Sequence, residues 1–576
     1  MGLRVERRPR EGGGEMRCFR AFFLLWLTMA AAQMGRAADS STPADAAFGH
    51  PSSTLEMDNS VCLSCHSEVA EAVQKHVHGS VGCRSCHVKH EEYPHPEGVP
   101  KPVCSTCHSS MAKDYARSVH AQAIRKGNGA APDCTTCHGK AHEIERARTP
   151  QFRAQVPELC GACHSDVAAE YQESVHGQAV RKGFTQAAVC VDCHGEHSIL
   201  PPQDVASTVH PDHVRDTCGS CHSDVRLTRR FGLPSDRIIS FDASYHGLAS
   251  KAGAQTVANC ASCHGVHNIR ASSDPKSTIN SRNLAKTCGQ CHVGAGQRFA
   301  LGPIHTVAGE TESPAVRWVR WAYLFIIPVT IGLMFLHNLG DWLHKLVRLR
   351  FSPPRRQPSR SSEPAVRIFL FERIQHGTLV VSFLVLAWSG FALKYPDQWW
   401  ARPLLLWESA RSTRGIIHRG ASVLFIAAAL SHVLSLTFSG RLRRHWLELR
   451  PRLADLREAV ANFAYNIGLK RHFPGRSPHS YIEKAEYWAL VWGTVIMVVT
   501  GLLLWFNGLA MKWLPKVVLD LATSIHFYEA ILASLAIVVW HFYFVIFDPD
   551  VYPMDSAWLT GRSPRQEPQA GPGGDD

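Results

Sequence analysis

The sequence has almost no cysteine outside one short pattern. Of its 19 cysteines, all but Cys18 fall into nine copies of C-x-x-C-H. The rest of the chain therefore has no cysteines for a disulfide framework, and a disulfide does not need a histidine beside each pair. Structural zinc sites combine cysteine pairs without requiring a histidine directly after each one. The lack of other cysteines and the constant histidine argue against both alternatives.

The repeated C-x-x-C-H pattern is the attachment signature of a c-type haem. The spacing places both sulfurs on one porphyrin edge and the histidine beneath the iron, so the sequence predicts nine haem c groups. The predicted attachment residues are Cys62, Cys65, Cys83, Cys86, Cys104, Cys107, Cys134, Cys137, Cys160, Cys163, Cys190, Cys193, Cys218, Cys221, Cys260, Cys263, Cys288 and Cys291. The predicted proximal iron ligands are His66, His87, His108, His138, His164, His194, His222, His264 and His292.

A repeat of two motifs occurs four times, at 62–90, 104–142, 160–197 and 218–267, and the ninth motif stands alone. We number these repeats 1 to 4. Each repeat adds two further histidines at similar offsets, which predicts two axial imidazoles for every iron. The predicted distal ligands are His78, His90, His120, His142, His176, His197, His246, His267 and His305, and the spare histidines are His50, His76, His95, His210 and His213. The sequence does not assign each distal histidine to a haem.

Charged residues make up only 19% of the chain and are nearly absent from five apolar stretches. These stretches lie near 318–339, 376–395, 417–439, 487–510 and 526–547. Each approaches the ~20 residues that a helix needs to cross a bilayer. Charges that are dense only outside the stretches disfavour a buried soluble bundle and predict five membrane helices.

Basic residues concentrate in two of the loops, near 344–360 and 440–452. The positive-inside rule places these loops in the cytoplasm, and 442–464 is predicted to form a helix on the inner membrane surface. The net charge of +12 largely reflects these loops, so we do not interpret it as nucleic-acid binding.

Residues 1–38 have the form of a secretory signal peptide. Arg17 and Arg20 flank the start of an apolar run that is short for a membrane crossing, and small residues follow it. Export agrees with the attachment of c-type haem outside the cytoplasmic membrane. The region 39–310 is therefore predicted to be a periplasmic nonahaem cytochrome c domain.

Histidines inside membrane spans are rare and call for a functional reason. His418 and His432 lie on the third span, His526 and His541 on the fifth, and His376 begins the second. Histidines 14 or 15 residues apart on one helix face similar sides at opposite depths. This arrangement predicts two b-type haems, each held between two imidazoles.

Residues 367–550 resemble the dihaem cytochrome b subunits of formate dehydrogenase and nickel–iron hydrogenase. The resemblance rests on RIQHGTLVVSFLVLAWSGFALKYP, GIIHRGASVLF, EKAEYWALVWGTVIMVVTGLLLW and SIHFYEAILASLAIVVWHFYF. It implies that His418 and His526 hold the periplasmic haem and that His376 and His541 hold the cytoplasmic one. His432 either competes with His376 or accepts a proton near a quinone.

The same resemblance implies a menaquinone site near the inner haem. The family's asparagine and glutamine fall here on Ser480 and Glu483, so the carried-over site differs from the family pattern. His432, His479, Tyr481 and Glu483 are the candidate quinone or proton contacts.

Nine c haems joined to a dihaem b domain resemble the inner-membrane multihaem quinol oxidoreductases of metal-reducing bacteria. The resemblance implies electron flow from menaquinol through the b haems to soluble periplasmic c-type cytochromes. Two alternatives stay open: a membrane-anchored catalytic multihaem reductase, and quinone reduction in the opposite direction.

The predicted fold is mainly α, with a haem-packed cytochrome c domain of little regular structure followed by a five-helix transmembrane bundle. The bundle consists of one linking helix and a four-helix dihaem cytochrome b. The boundaries are a first transmembrane helix at 316–345, a cytoplasmic basic linker at 346–372, a dihaem domain at 373–550 and a disordered cytoplasmic tail at 551–576.

Overall fold

A computed structural model of the protein describes residues 59–562, except for 89, 91, 93, 97–100, 300–303, 308–311, 352–367, 407, 409–411 and 471–479. The predicted signal peptide at 1–38, His50, His479, residues 352–367 of the predicted linker and the tail beyond Arg562 lie outside the described residues.

The described part of the chain is helical and contains no β-strand, which confirms the mainly α prediction. It divides into two compact units. The first unit comprises the described residues within 59–67 and 81–100, and the second comprises 68–80 and the described residues from 101 onward. In the first unit, the Asn59 side chain accepts a hydrogen bond of 3.0 Å from the Cys83 backbone N–H.

The cysteine-rich region forms short helices, and the longest of them has 12 residues. Its buried apolar side chains are few and mostly small, such as Ala121, Ala249 and Ala252. A segment of this kind has little protein core of its own. The helices are Ser60–Leu63, Ser67–Lys75, Cys83–Cys86, Cys104–Thr106, Ser109–Arg117, Val119–Arg125, Cys134–His138, Pro150–Gly161, Ser165–Glu173, Val175–Arg181, Cys190–His194, Val214–His222, Val225–Arg230, Arg237–Ala243, Tyr245–Lys251, Cys260–His264 and Leu284–Gly289.

In the part of the chain that the structure describes, five long helices are apolar enough to cross a membrane, as the composition predicts. We call them the first to fifth membrane helices: Pro314–Phe351, Leu370–Lys394, Thr413–Phe438, Tyr481–Trp505 and Lys516–Phe547. The second packs against the third, the fourth against the fifth, and the first against the fifth. The protein is therefore a multi-pass membrane protein.

Shorter helices connect the membrane helices: Arg402–Leu405, Gly440–Leu447, Leu453–Asn466 and Asn507–Trp513; a further short helix, Ala557–Thr560, follows the fifth. The surface helix predicted at 442–464 is divided into two pieces. Pro451 lies between them, and a proline disfavours helical backbone in the residue before it.

The fifth membrane helix ends in two wide π-helical turns, Ile537–His541 and Tyr543–Phe547. The Asn338 amide of the first membrane helix donates a 2.6 Å hydrogen bond to the carbonyl of Val539 in this segment. Wide turns of this kind are frequent at functional sites.

Candidate haem sites

The second C-x-x-C-H motifs of repeats 2 and 4 lie on short helices with side-chain caps. Asp133 and Asn259 cap the helices Cys134–His138 and Cys260–His264 by accepting hydrogen bonds from the backbone N–H two residues after the first cysteine. A helix brings residues three apart onto one face, so both sulfurs of a motif lie side by side. The local fold therefore supplies the geometry that attachment to one porphyrin edge requires.

A second local device presents the helical distal histidines. The serine hydroxyls of Ser118, Ser174 and Ser244 cap short helices, and His120, His176 and His246 each occupy the second position of the helix that follows. A capped N-terminus fixes the first turn and therefore the direction of the imidazole. The same construction in repeats 2, 3 and 4 explains their similar offsets in the sequence.

Imidazole rings face one another in pairs throughout the second unit. Two metal–nitrogen bonds of about 2 Å, together with the half-widths of two rings, account for centroid separations near those observed. The pairs are His78–His108 at 6.2 Å, His120–His164 at 6.4 Å, His138–His197 at 6.1 Å, His176–His222 at 6.2 Å, His194–His267 at 6.1 Å, His246–His292 at 6.0 Å and His264–His305 at 6.3 Å. Each pair joins a motif histidine to a predicted distal histidine.

The pairs follow a rule that the sequence did not reveal. The helical histidine of one repeat faces the first motif of the next repeat, as His120 faces His164 and His176 faces His222. The histidine after the second motif faces back, as His267 faces His194. Adjacent repeats therefore exchange imidazoles in both directions.

Backbone contacts hold this exchange in register. The N–H of Val175, directly before His176, donates 2.8 Å to the carbonyl of Ile269 in the next repeat. The N–H of Val119 makes the equivalent 2.9 Å bond to Ile199. Each helical histidine is thus anchored to the repeat whose motif it faces.

The end of the cysteine-rich region uses the same scheme with one change. His305 follows the ninth motif but faces His264, the second motif of repeat 4, and His246 faces the ninth motif. The Ser240 hydroxyl lies 2.9 Å from His305 Nδ1, which leaves the other ring nitrogen for the facing side.

The first unit differs from the pattern. His95, a spare histidine by its sequence position, stacks 6.4 Å from His66 with ring planes 9° apart. His90 lies 4.8 Å from both His87 and His95, which is shorter than the separations in the second unit. The sequence did not predict His95 as a ligand because no other repeat has a histidine at the corresponding offset.

Sulfur contacts place consecutive motifs next to one another. The first cysteines of the two motifs within a repeat are hydrogen-bonded neighbours, as in Cys160–Cys190 and Cys218–Cys260. Between repeats, burial raises the pKa of the Cys137 thiol, and the neighbouring Cys160 raises it further. Porphyrins attached at these sulfurs would be close neighbours within repeats 2 to 4.

Burial favours the neutral form of the facing imidazoles. Removal from water lowers the pKa of His120, His176 and His246, and the facing histidine lowers each pKa further. A neutral imidazole is the form that binds a metal ion. The electrostatics of these pairs therefore fit iron ligation.

Two further pairs lie among the membrane helices. His418 faces His526 at 6.5 Å, and His376 faces His541 at 6.3 Å. His526 and His541 are on the fifth membrane helix, so the 15 residues between them separate the pairs by about 22 Å along its axis. The structure brings together the same partners that the family resemblance implies.

Hydroxyl groups orient the first of these pairs. Ser389 Oγ lies 2.8 Å from His418 Nδ1, and Thr500 Oγ1 lies 2.9 Å from His526 Nδ1. A Cβ atom at Gly501 would be only 3.3 Å from His526 Cε1, so a glycine leaves room for the ring. With both Nδ1 atoms occupied, the Nε2 atoms are the ones left to bind iron.

The second pair has a charged neighbour. Glu486 Oε1 of the fourth membrane helix lies 3.4 Å from His541 Nδ1, while His376 Nδ1 is buried without a hydrogen-bond partner. Sequence reasoning missed Glu486, although an acidic residue at the edge of an apolar span is itself a functional signal. The two histidine pairs therefore differ in local charge.

The candidate quinone contacts occupy two places. His432 Nε2 lies 3.1 Å from Tyr487 Oη, and its ring lies 4.8 Å from Trp446; it is not one of the paired membrane histidines. Glu483, with Tyr487, lines a cavity that reaches His541. Tyr481 instead contacts His337 of the first membrane helix, at 2.6 Å from Nε2.

One continuous cavity of about 3530 Å³ links the two sets of histidines. Its lining runs from His120 and His176 in the cysteine-rich region to His418 and His541 among the membrane helices. The paired rings, the oriented Nδ1 atoms and the continuous space between apolar walls fit a series of flat, largely apolar cofactors with a central metal. The donor set and its spacing fit haem.

The ninth motif packs directly on the membrane helices. Phe299 and Cys288 contact Ala510, Met511 and Leu519 in a small apolar cluster. The helix Tyr245–Lys251, which carries the histidine facing the ninth motif, contacts the second membrane helix. Both imidazoles of this pair are therefore held next to the membrane bundle.

Residues 367–553 match the family model described as prokaryotic cytochrome b561. Residues 127–169 match the model of a doubled CXXCH motif. The chain joins a cytochrome b region to a multihaem c-type region. No curated protein and no solved structure matches the chain significantly. Haem b and haem c are thus its cofactors, and the protein is a membrane electron-transfer cytochrome.

Proposed function

We propose that this protein is a quinol–cytochrome c oxidoreductase that passes electrons from menaquinol through two b haems to nine c haems. The observation that carries the proposal is the position of the ninth motif against the membrane bundle, within one cavity that also reaches both membrane histidine pairs. When bound, haem supplies one-electron transfer between ferric and ferrous iron. The chain supplies the ligands, their spacing and their electrostatic surroundings.

The proposed ligands follow the pairs. In the second unit, each motif histidine shares its iron with the ring that faces it, and His376–His541 and His418–His526 hold the two b haems. In the first unit we propose that His95 is the partner of His66, a role that the sequence did not suggest. For His87 we keep His90 as the candidate partner, and His142 stays a proposed distal ligand without an assigned haem.

Two imidazoles per iron favour electron transfer over substrate reduction. A catalytic multihaem reductase needs an iron with an open axial position, and each motif histidine from His108 onward faces a second imidazole at 6.0–6.4 Å. The proposal therefore assigns no catalytic role to the c haems.

We place quinol oxidation at the end of the cavity beside His541. Glu483 and Glu486 line it with carboxylates, and His432 and Tyr487 line it as a hydrogen-bonded pair. Polar groups of these kinds are able to accept protons from a quinol hydroxyl. Tyr481 and His479 remain candidates, and His479 lies outside the described residues.

We propose that the basic loops face the cytoplasm and the c haems face the periplasm. The arginine-rich helix Gly440–Leu447 follows the third membrane helix, at the end opposite His418. The positive-inside rule then puts the His376–His541 pair near the cytoplasm and the His418–His526 pair near the periplasm. Soluble periplasmic c-type cytochromes are the proposed electron acceptors.

The test uses the full-length holoprotein in sealed vesicles. We expect a menaquinol analogue to reduce first the b haems and then the c haems, followed at their separate absorption bands. Reduction of the b haems without the c haems would contradict the proposed relay. A redox titration that places the c haems far below the quinol couple would instead support flow toward quinone.

A further inference from the structure

A row of polar side chains runs along one face of the first membrane helix. His337, Asp341 and Lys345 are each four residues apart and so share a face, and Asn338 lies three residues before Asp341. Asn338, Asp341 and Lys345 are at most 8% exposed. We call these four residues the polar row; they lie outside the matched region 367–553.

One end of the polar row lies behind the wall of the cavity. Tyr481 Oη is 2.6 Å from His337 Nε2, and the indole of Trp540 is 5.0 Å from the His337 ring. Trp540 lines the cavity and directly precedes His541. The row therefore begins next to the proposed quinol site.

The middle of the polar row is densely hydrogen-bonded. The Tyr543 hydroxyl donates 2.7 Å to Asp341 Oδ2, and the Asn466 amide donates 3.3 Å to Oδ1. Lys345 Nζ lies 2.6 Å from the same carboxylate, and His337 is one helical turn away on the other side. Asp341 thus stands between the histidine and the lysine.

The other end of the polar row reaches water. Lys345 Nζ contacts Asp548 at 2.8 Å and Asp550 at 3.5 Å. Asp550 accepts a 2.7 Å bond from Arg348, and both of these side chains are more than one third exposed. Consecutive polar groups therefore extend from the cavity wall to an aqueous surface.

Helix anchoring alone explains only part of the polar row. The ion pairs of Lys345 do fasten the first membrane helix to the end of the fifth. Apolar packing would fasten the two helices without buried charges, and burying a charge inside a membrane protein is expensive. The neutral His337–Tyr481 contact, moreover, adds nothing to those ion pairs. Chains of histidine and acidic residues at membrane depth are typical of proton relays.

We propose that the polar row conducts protons from quinol to the aqueous phase on the side of the basic loops. The inference rests on the proposed function. Oxidation of quinol releases one proton with each electron, and the haem that His376 and His541 would hold would supply the electron acceptor. The proton enters the Tyr481 hydroxyl as the tyrosine's own proton moves to His337. His337 then returns to neutral by releasing that proton through Asp341 to water near Asp550. One quinol yields two electrons and two protons.

The test compares His337→Phe and Tyr481→Phe with the matched control His344→Phe. His344 lies on the same helix, and its ring also packs on a tyrosine, Tyr465, at 4.5 Å. In full-length holoprotein reconstituted in vesicles, a menaquinol analogue drives b-haem reduction while a pH indicator follows proton release. Loss of a positioned proton acceptor slows a reaction by about 100-fold. We therefore expect the rates of b-haem reduction and proton release to fall about 100-fold in both test variants and less than about twofold in the control.

Dithionite spectra separate a relay from a structural role. We expect His337→Phe and Tyr481→Phe to keep both b haems and their full dithionite reduction, because that reductant bypasses quinol. Wild-type rates of b-haem reduction and proton release in both variants would overturn the proposal, as would loss of the b haems from both. Failure of quinol to reduce the wild-type protein would instead refute the proposed function itself.

Discussion

Glu486→Gln tests how the chain sets the potentials of the two proposed b haems. The Glu486 carboxylate lies 3.4 Å from His541 Nδ1, whereas the ligands of the other pair contact neutral hydroxyls. A negative charge beside an axial imidazole favours ferric over ferrous iron. Replacing the carboxylate with a neutral amide should therefore raise the potential of the haem held by His376 and His541.

The size of the shift follows from the contact. A hydrogen bond to a charged group contributes about 1.5–3 kcal/mol, and about 1.4 kcal/mol corresponds to roughly 59 mV for one electron. The full range is thus about 60–130 mV. Because 3.4 Å is long for a hydrogen bond and Glu486 Oε1 has no well-aligned hydrogen-bond partner, we expect a shift at the lower end of this range, about 60 mV.

Redox potentiometry of the b-haem absorption bands checks this prediction. Ser389→Ala serves as the matched control, because it removes a neutral hydrogen bond of 2.8 Å from His418 and should shift only the other haem, by about 20–60 mV. Unchanged b potentials in Glu486→Gln, or a shift in the same haem that Ser389→Ala affects, would refute the reasoning.

Three further predictions follow from the histidine pairs and the packing around them. His176→Ala should give a high-spin signal from one c haem, and the signal should vanish when the two cysteines before His222 are also replaced, because these rings face each other across repeats. Gly501→Val should remove the haem at His526 but keep the other b haem in the reduced spectrum, because even a Cβ comes within 3.3 Å of that ring. Gly294→Val should slow quinol-driven reduction of the c haems but not of the b haems, since Gly294 has φ +94° and a Cβ there would come within 2.9 Å of Lys512 Cγ, on the helix Asn507–Trp513 against which the ninth motif packs.

The sequence predicted much of this architecture because its signals are local. Apolar length predicts five membrane helices. The predicted ends agree with the observed ends to within six residues, except that the first helix continues to Phe351 and the fifth already begins at Lys516. The partners of the membrane histidines also agree with the family resemblance.

What the sequence did not predict depends on contacts between distant segments. The exchange of imidazoles between repeats rests on bonds such as Val175 to Ile269, which no spacing within one repeat encodes. His95 has no counterpart in the other repeats, and its position opposite His66 is a matter of tertiary packing. His337 is a single histidine in an apolar span, and only its contact with Tyr481 gives it a role.

Reciprocal exchange between neighbours has a consequence for how such an array is able to evolve. A duplicated copy inserted among repeats 2 to 4 would receive one imidazole from each side and give one to each side, as the existing copies do. The array is therefore able to grow by one repeat, and so by two iron sites, without a new ligand residue. A copy removed from its neighbours would be left with incomplete iron sites, so selection should act on the array's length in whole repeats.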